Sequence, residues 1–177
     1  TSELEDYSTI TDSPDLNSVM EAKLSYYRKI QGENDLTGKG VIIEIRDSDK
    51  LVKPGENPND FLVHDQDLLR IINDLKISGA EAISINGQRY MSFSEIKCSG
   101  PTVTINGKTY GQPFVIKAIG DPANLEAAIK SIDSYSYMLN SIYGIKIDVR
   151  TSESVVITRY WRSKQYNYLK KIVEDTE

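Results

Sequence analysis

Arg89 is the residue of this sequence best placed to bind an anion. The stretch SINGQRY, residues 84–90, sets Arg89 directly after a predicted strand and an Asn-Gly turn. A guanidinium that projects from a strand end can hold a carboxylate through two parallel hydrogen bonds. The structural alternative is an ion pair with Glu81 or Glu95 that locks the hairpin following the strand. We therefore treat Arg89 and its neighbour Gln88 as candidate anion or ligand contacts.

His64 is the one histidine of the chain, and Asp65 and Asp67 follow it closely. This grouping is compatible with a metal ligand or a general base. Nucleophilic catalysis would also need a serine or Cys98 beside the imidazole, and the spacing does not predict such a neighbour. The two aspartates equally fit the first turn of a helix, where they accept hydrogen bonds from unpaired N–H groups. His64 is kept as a third candidate ligand contact.

Two further patterns do not meet the requirements of known sites. Asp47 and Asp49 begin a D-x-D run, but the glycine and the acid that an EF-hand loop requires are replaced by Val52 and Pro58. The stretch GKG, residues 38–40, precedes a strand, whereas a phosphate loop leads through Lys and Ser or Thr into a helix. We expect no cofactor, no metal and no catalytic residue.

Aromatic and basic residues are mixed in the stretch RYWRSKQYNYLKK, residues 159–171. Such residues can pack on the sheet edge, form a protein interface, or stack on RNA bases. The net charge of −5 and the missing RNP-type strand signature argue against nucleic acid. We therefore rank packing first and protein contact second, with Tyr160, Trp161 and Arg162 as the candidate interaction surface.

Hydrophobic spacing predicts the helices that must position these residues. Apolar residues three and four apart predict a helix over residues 14–31, a second beginning at Asp65 or Asp67, and a third after Asp121-Pro122. Tyr166, Leu169, Ile172 and Val173 predict a fourth at the C-terminal end. The first helix either packs on the domain or continues a longer coil.

Alternation of apolar and polar residues predicts the strands. They cover residues 41–46, 81–85, 114–120 and 145–150, with residues 154–158 as the hairpin partner of the last. Between the second and third of them, Asn106-Gly107 predicts an inserted hairpin. Its INGKTY, residues 105–110, echoes INGQRY, residues 85–90.

This element order predicts an α+β chain with a ferredoxin-like (split βαβ) sandwich. The inserted hairpin, an N-terminal coiled-coil-prone helix and a C-terminal helix complete the fold. A chain of 177 residues holds one such domain and an appendage. We divide it into a linker and amphipathic helix (residues 1–35), the domain (36–160) and a helical tail (161–177).

The composition excludes several classes of protein. Cys98 is the only cysteine, so neither an internal disulfide nor a thiolate metal cluster can form. No apolar run approaches the roughly 20 residues of a membrane span, and the N-terminus lacks signal-peptide features. It also lacks an initiator methionine, so we expect a processed or trimmed product.

Two long stretches resemble a known family. They are HDQDLLRIINDLKISGAEAISINGQRY, residues 64–90, and EIKCSGPTVTINGKTYGQPFVIKAIGDPANLEAAI, residues 95–129. They are similar to the uncharacterised bacterial family of YlxW and YlxX type, a domain of unknown function in Gram-positive bacteria. The resemblance covers about residues 36–160. The residues that carry it are Asp67-Leu68, Asn73, Leu75, the run Gly79 to Arg89, Cys98-x-Gly100-Pro101, Pro113 and Ala118 to Pro122.

The resemblance implies a ferredoxin-like domain outside the cytoplasmic membrane, preceded by a transmembrane segment and a coiled-coil-prone helix. It suggests a link to cell division or envelope processes, and it carries over no catalytic residue. We therefore expect a non-enzymatic ectodomain of a single-span protein, whose membrane anchor is absent from this chain. It would act through unidentified protein partners, with homo-oligomerisation through the N-terminal helix and no nucleic acid. The alternative is a small-ligand sensing domain.

Overall fold

The computed structural model describes residues 14–162 and 165–170. Its helices are α1 (Pro14–Ile30), α2 (Asp65–Ile77), α3 (Pro122–Lys130) and α4 (Tyr135–Met138), with a 3-10 turn at Pro58–Phe61 and a π-helical turn at Leu139–Tyr143. Its strands are β1 (Leu36–Arg46), β2 (Ala82–Ile85), β3 (Gln88–Tyr90), β4 (Ile96–Ser99), β5 (Thr102–Ile105), β6 (Lys108–Tyr110), β7 (Phe114–Ile119) and β8 (Lys146–Ile157).

The strands form two antiparallel sheets. The larger has the order β3-β2-β7-β1-β8, and the smaller has the order β4-β5-β6. Helix α2 connects β1 to β2, while α3 and α4 connect β7 to β8. The chain is therefore a mixed α/β protein built on antiparallel sheets, as the element order predicted.

A large hydrophobic core joins α2 and α3 to both sheets. On α2 the apolar face is spaced at i, i+3, i+4 and i+7, and on β1 every second residue points inward. Both patterns were predicted, and the structure buries these side chains together. The set is Val41, Ile43, Ile45, Leu68, Ile71, Ile72 and Leu75. Each such side chain contributes about 1.5–3 kcal/mol through loss of water contact.

Two Asn-Gly turns shape the region between β2 and β7. Asn86 and Gly87 have φ of 46° and 77°, and Asn106 and Gly107 have φ of 51° and 77°. Consecutive positive φ values define the two-residue hairpin turn that Asn-Gly favours. Residues 94–113 hold three strands, β4, β5 and β6, whereas the sequence indicated a pair.

Strand β8 corrects the predicted hairpin between residues 145–150 and 154–158. It is continuous and pairs with β1 along its length, with a register shift between Gly38 and Gly40. The sequence RTSE, residues 150–153, contains no glycine or asparagine to take up the positive φ of a tight turn.

The C-terminal helix predicted within residues 161–177 is absent from residues 161–162 and 165–170. There Tyr168 and Leu169 are 94% and 74% exposed. A short helix in water depends on packing of its apolar face, and these two side chains have little to pack against. Ile172 and Val173 lie outside the described residues.

Helix α1 forms over the predicted residues, but most of it does not pack on the domain. Its apolar stripe of Met20, Leu24, Tyr27 and Ile30 is between 50% and 57% exposed. Gly32, at φ 77°, turns the chain after the helix toward β1. Over the described ranges, none of the helices combines the length and apolarity needed to cross a membrane.

Candidate functional site

Arg89 lies on β3, at the edge of the larger sheet. It pairs with Ser84 across the hairpin, while its neighbour Tyr90 packs against the main core. Because side chains alternate along a strand, Arg89 points to the opposite face of the sheet. Its carbonyl oxygen accepts a hydrogen bond of 3.0 Å from Asn106 Nδ2, which fixes β3 to the inserted sheet.

Among the described residues, no carboxylate forms a salt bridge with the buried guanidinium of Arg89. The residue is 4% exposed, and its Nη2 donates a long hydrogen bond of 3.5 Å to the carbonyl oxygen of Lys29. Nη1 has no partner among the described residues. The predicted ion pair with Glu81 or Glu95 is wrong, because neither forms a salt bridge with Arg89. Burial lowers the pKa of Arg89 below its ordinary value.

Arg89 lines a cleft of about 520 Å³ between the edge strand and the segment after β8. The other lining residues are Asp35, Gly87, Gln88, Lys108, Thr158, Arg159, Tyr160 and Trp161. Gln88 donates from Nε2 to the Tyr110 hydroxyl at 2.8 Å, and its Oε1 is buried without a partner in the described chain. Because side chains alternate along β3, the Gln88 amide lies on the core face with Tyr110, and Arg89 lies on the opposite face.

Two of the three residues predicted as an interaction surface, Tyr160 and Trp161, line this cleft. Tyr160 stacks edge to face on Phe93, with ring centroids 5.1 Å apart. The Trp161 ring has Lys108 Nζ at 5.3 Å and the Arg162 guanidinium at 4.2 Å from its centroid. These cation–π contacts hold a half-exposed indole at the mouth of the cleft.

The structure therefore brings Arg89, Tyr160 and Trp161 together at one cleft. The Gln88 side chain lies on the other face of β3, and His64 lies elsewhere. Lys108 of the cleft was missed by sequence reasoning. The similarity of INGQRY and INGKTY could have identified Lys108, because Gln88 and Lys108 follow equivalent Asn-Gly turns.

His64 lies just before α2, in contact with Cys98. Its Nε2 is 2.8 Å from the carbonyl oxygen of Asn59, and a carbonyl only accepts, so Nε2 carries the proton in the neutral ring. Its Nδ1 is 3.8 Å from Cys98 Sγ. The thiol neighbour that the spacing did not predict is thus present.

The surroundings of Cys98 disfavour its thiolate form. Burial raises its pKa, and the negative charges of Asp65 and Asp67 raise it further. Asp65 lies next to Cys98, because its Oδ2 accepts a hydrogen bond of 2.8 Å from the backbone N–H of Cys98. Burial raises the pKa of Asp65, but hydrogen bonds from Cys98 and Gln66 outweigh this and lower it overall. A reactive cysteine instead needs a lowered thiol pKa, which favours the thiolate.

Asp67 connects the start of α2 to α4 through two hydrogen bonds. Its Oδ2 accepts from the backbone N–H of His64 and its Oδ1 from the Tyr135 hydroxyl, each at 2.7 Å. Burial, together with this bond to Asp67, raises the pKa of Tyr135 to about 12. The helix-start interpretation of Asp67 is confirmed by these contacts. In the described part of the chain, no group of three or more His, Cys, Asp or Glu residues is arranged to hold a metal ion.

Fold and cleft define a mixed α/β domain with antiparallel sheets and a cationic cleft at one sheet edge. The model of the family described as "Bacterial protein of unknown function (DUF881)" matches residues 23–170, and the chain belongs to this family. The resemblance to the YlxW and YlxX type is thereby confirmed.

Individual relatives agree with this assignment. The chain is 43% identical over 96 residues to the UPF0749 protein YlxW of Bacillus subtilis, which covers 54% of this chain and 41% of that protein. It is 32% identical over 126 residues to YlxX of the same organism, covering 68% of this chain and 50% of that protein. The chain thus spans half or less of the length of these two relatives.

A solved structure shares the fold. The crystal structure of an uncharacterized conserved protein from Mycobacterium tuberculosis superimposes with a TM-score of 0.67 at 26% identity. The superposition covers 85% of this chain and 99% of that one.

Proposed function

We propose that this chain is a non-enzymatic interaction domain that pairs with a second copy of itself through α1. The observation that carries the proposal is the exposed apolar stripe of Met20, Leu24, Tyr27 and Ile30. Apolar residues three and four apart form the seam along which two helices pack side by side. A contiguous exposed apolar surface of this kind usually marks a site of protein interaction.

A second copy is the favoured occupant because the stripe suits a symmetric pair. Most soluble homo-oligomers are twofold dimers in which one patch contacts its own copy. With 17 residues, α1 has little more than two heptads, so pairing of isolated domains is weak. A common membrane tether would raise the effective concentration and strengthen it.

Sedimentation velocity over a range of protein concentrations tests this pairing. Leu24→Glu places a charge on the stripe and is expected to keep the protein monomeric. Ala22→Glu, a matched charge on the far side of α1, is expected to leave association unchanged. A wild-type chain that stays monomeric at millimolar concentration contradicts the proposal.

The proposed setting is the extracytoplasmic face of a bacterial cell membrane, as the ectodomain of a single-span protein in cell division or envelope assembly. The resemblance of residues 36–160 to the YlxW and YlxX type supports it. Half or more of the length of these relatives lies outside the matched segment, and a span needs only about 20 residues. Alkaline phosphatase fused to the C-terminus of the full-length gene product is expected to be active, and an inactive fusion contradicts the setting.

The proposed absence of enzymatic activity is supported by the state of the Cys98–His64 pair. The thiol pKa is raised, whereas a cysteine nucleophile requires a stabilised thiolate. Hydrolase substrates give a direct test, with Cys98→Ala as control. A turnover that the wild type shows and Cys98→Ala loses would overturn this part of the proposal.

We further propose that the core is a ferredoxin-like sandwich. Its support is the strand order β8-β1-β7-β2, with α2 crossing between β1 and β2 and α3 between β7 and β8. Strand β3 and the smaller sheet then form an insertion between β2 and β7. An experimental structure with a different strand order would contradict it.

The second candidate function is small-ligand sensing, which the cleft at Arg89 favours. Sites for small molecules are concave and contain a few converging polar groups. A ligand that binds only the folded state raises the melting temperature, so a thermal-shift screen tests this function.

A further inference from the structure

We propose that the first turn of α1 from a second copy of this chain occupies a cleft at the C-terminal end of α1, so that the two helices pair antiparallel. The proposal rests on the α1 pairing proposed above. It adds the relative direction of the two helices and a binding site for the start of the partner helix.

This second cleft has a volume of about 390 Å³ and lies where α1 ends. Residues from Ile30 to Glu33 line it on the side of α1, and Met91, Phe93 and Tyr160 supply apolar side-chain surface. Ile30 also belongs to the exposed stripe of α1 and is 54% exposed. The stripe and the cleft therefore form one continuous surface, and a helix packed along the stripe reaches the cleft.

The stripe has the spacing of a seam between two helices. Met20, Leu24, Tyr27 and Gln31 follow one another at the a and d positions of a heptad repeat. Gln31 still belongs to the last helical turn, because its N–H donates to the carbonyl oxygen of Tyr27 at 2.9 Å. In an antiparallel pair an a residue faces a d residue of the other helix, so Met20 meets Gln31. Leu24 meets Tyr27 in the same way.

The charges beside the seam favour the antiparallel direction. In the register above, Glu21 of each copy lies beside Arg28 of the other, which gives two pairs of opposite charge. A parallel pair instead places Lys23 of one helix beside Arg28 of the other, and these like charges repel. Arg28 is available for the partner, since its side chain is more than half exposed and its own contact with Glu33 is long, at 3.9 Å.

The same register carries the first turn of the partner helix to the cleft. Leu16 lies one turn before Met20 on the same face of α1. Because Met20 meets Gln31, Leu16 of the second copy extends about 6 Å beyond Gln31, at the rise of an α-helix. The chain turns at Gly32, so the cleft with Met91, and not a continuing helix, lies beyond Gln31. An apolar side chain thereby meets an apolar cleft.

Disulfide formation between two variants measures the direction of the pair. Both carry Cys98→Ser, one adds Met20→Cys and the other Gln31→Cys, and only one carries an affinity tag. After mild oxidation of the mixture we expect mostly the mixed dimer. A parallel pair would crosslink each variant to itself, and this result overturns the proposal while leaving α1 pairing intact. Absence of any dimer would contradict both.

A second mixture tests the occupancy of the cleft. In the same Cys98→Ser background, Leu16→Cys is expected to crosslink with Met91→Cys. The control is a mixture of Leu16→Cys with Ser131→Cys, an exposed residue after α3 that does not line the cleft. It is expected to crosslink much more slowly. Equal rates in the two mixtures would overturn the assignment of the cleft to the partner helix.

Charge reversal has opposite expected effects for the two directions. Arg28→Glu places like charges beside Glu21 in the antiparallel pair and is expected to weaken dimerisation about tenfold in sedimentation equilibrium. In a parallel pair it would face Lys23 and strengthen dimerisation, which would overturn the proposal. The double variant Glu21→Lys with Arg28→Glu restores opposite charges, so its dissociation constant is expected to return close to that of the wild type. A double variant as weak as Arg28→Glu alone would also contradict the proposal.

Discussion

The backbone N–H of Tyr160 donates a hydrogen bond of 2.7 Å to the carbonyl oxygen of Gly32. This bond connects the segment after β8, which carries the aromatic residues of the cleft, to the glycine that follows α1. The candidate interaction surface is therefore connected by a hydrogen bond to the C-terminal end of α1, the helix proposed to self-associate. Changes at Gly32 are expected to reach the cleft.

Gly32→Ala tests this connection. Its φ of 77° strains any residue with a Cβ, and the new methyl group would meet Met91 Sδ at 2.7 Å. We expect a loss of about 1–2 kcal/mol in the free energy of unfolding and an altered Trp161 emission spectrum. Gly55→Ala, at φ 94° in open space, is the control and should lose stability without altering the emission. The same spectral change in both variants would contradict the connection.

Gly40→Ala tests the close approach of β1 and β7. A Cβ at Gly40 would lie 1.9 Å from the backbone oxygen of Ala118, so one strand must move. We expect a loss of about 3 kcal/mol in the free energy of unfolding by urea denaturation. Gly111→Ala, where a Cβ meets nothing within 4 Å, should change stability little. Equal stability of the two variants would refute this account of the sheet.

The alkylation of Cys98 tests the electrostatics around His64. As the only cysteine, it can be followed by mass spectrometry with iodoacetamide. Because burial and the acidic neighbours raise its pKa, the midpoint of the rate against pH should lie above that of free cysteine. Asp65→Asn removes one of these charges and should move the midpoint to lower pH. A wild-type midpoint below that of free cysteine would instead indicate an activated nucleophile.

The hydroxyl of Tyr135 gives a prediction at alkaline pH. Its pKa is raised to about 12 from the ordinary value of about 10, so the folded protein favours the neutral phenol. This contribution to stability is complete below pH 10 and is lost as the pH rises from 10 to about 12. Tyr135→Phe should cost about 2 kcal/mol at neutral pH, since a charged acceptor loses its donor.

The measurement is the difference in unfolding free energy between wild type and Tyr135→Phe at several pH values. The difference should shrink above pH 10. Tyr137→Phe, on the same short helix and 43% exposed, is the matched control and should show little effect. A difference that grows with pH would contradict the direction of the pKa shift.

Local signals in the sequence predicted local structure well. The Asn86-Gly87 and Asn106-Gly107 turns and the Asp121-Pro122 helix start depend on the chemistry of adjacent residues, and all three are confirmed. The face of α2 was also predictable, because its spacing leaves one way to bury Leu68 and Leu75.

Contacts between distant residues were not predictable in the same way. His64 and Cys98 meet because β4 of the inserted sheet lies against the start of α2, which no spacing encodes. The pairing of Arg89 with Glu81 or Glu95 was inferred from nearness in sequence. In the structure its side chain instead projects beneath the segment after β8.

Site-directed crosslinking tests the central claim, α1 pairing, most directly. In a Cys98→Ser background, cysteine would be introduced either on the stripe by Leu24→Cys or on the far side by Ala22→Cys, followed by mild oxidation. The account predicts a crosslinked dimer that forms much faster from Leu24→Cys. Equal rates, or no dimer from Leu24→Cys, would contradict it.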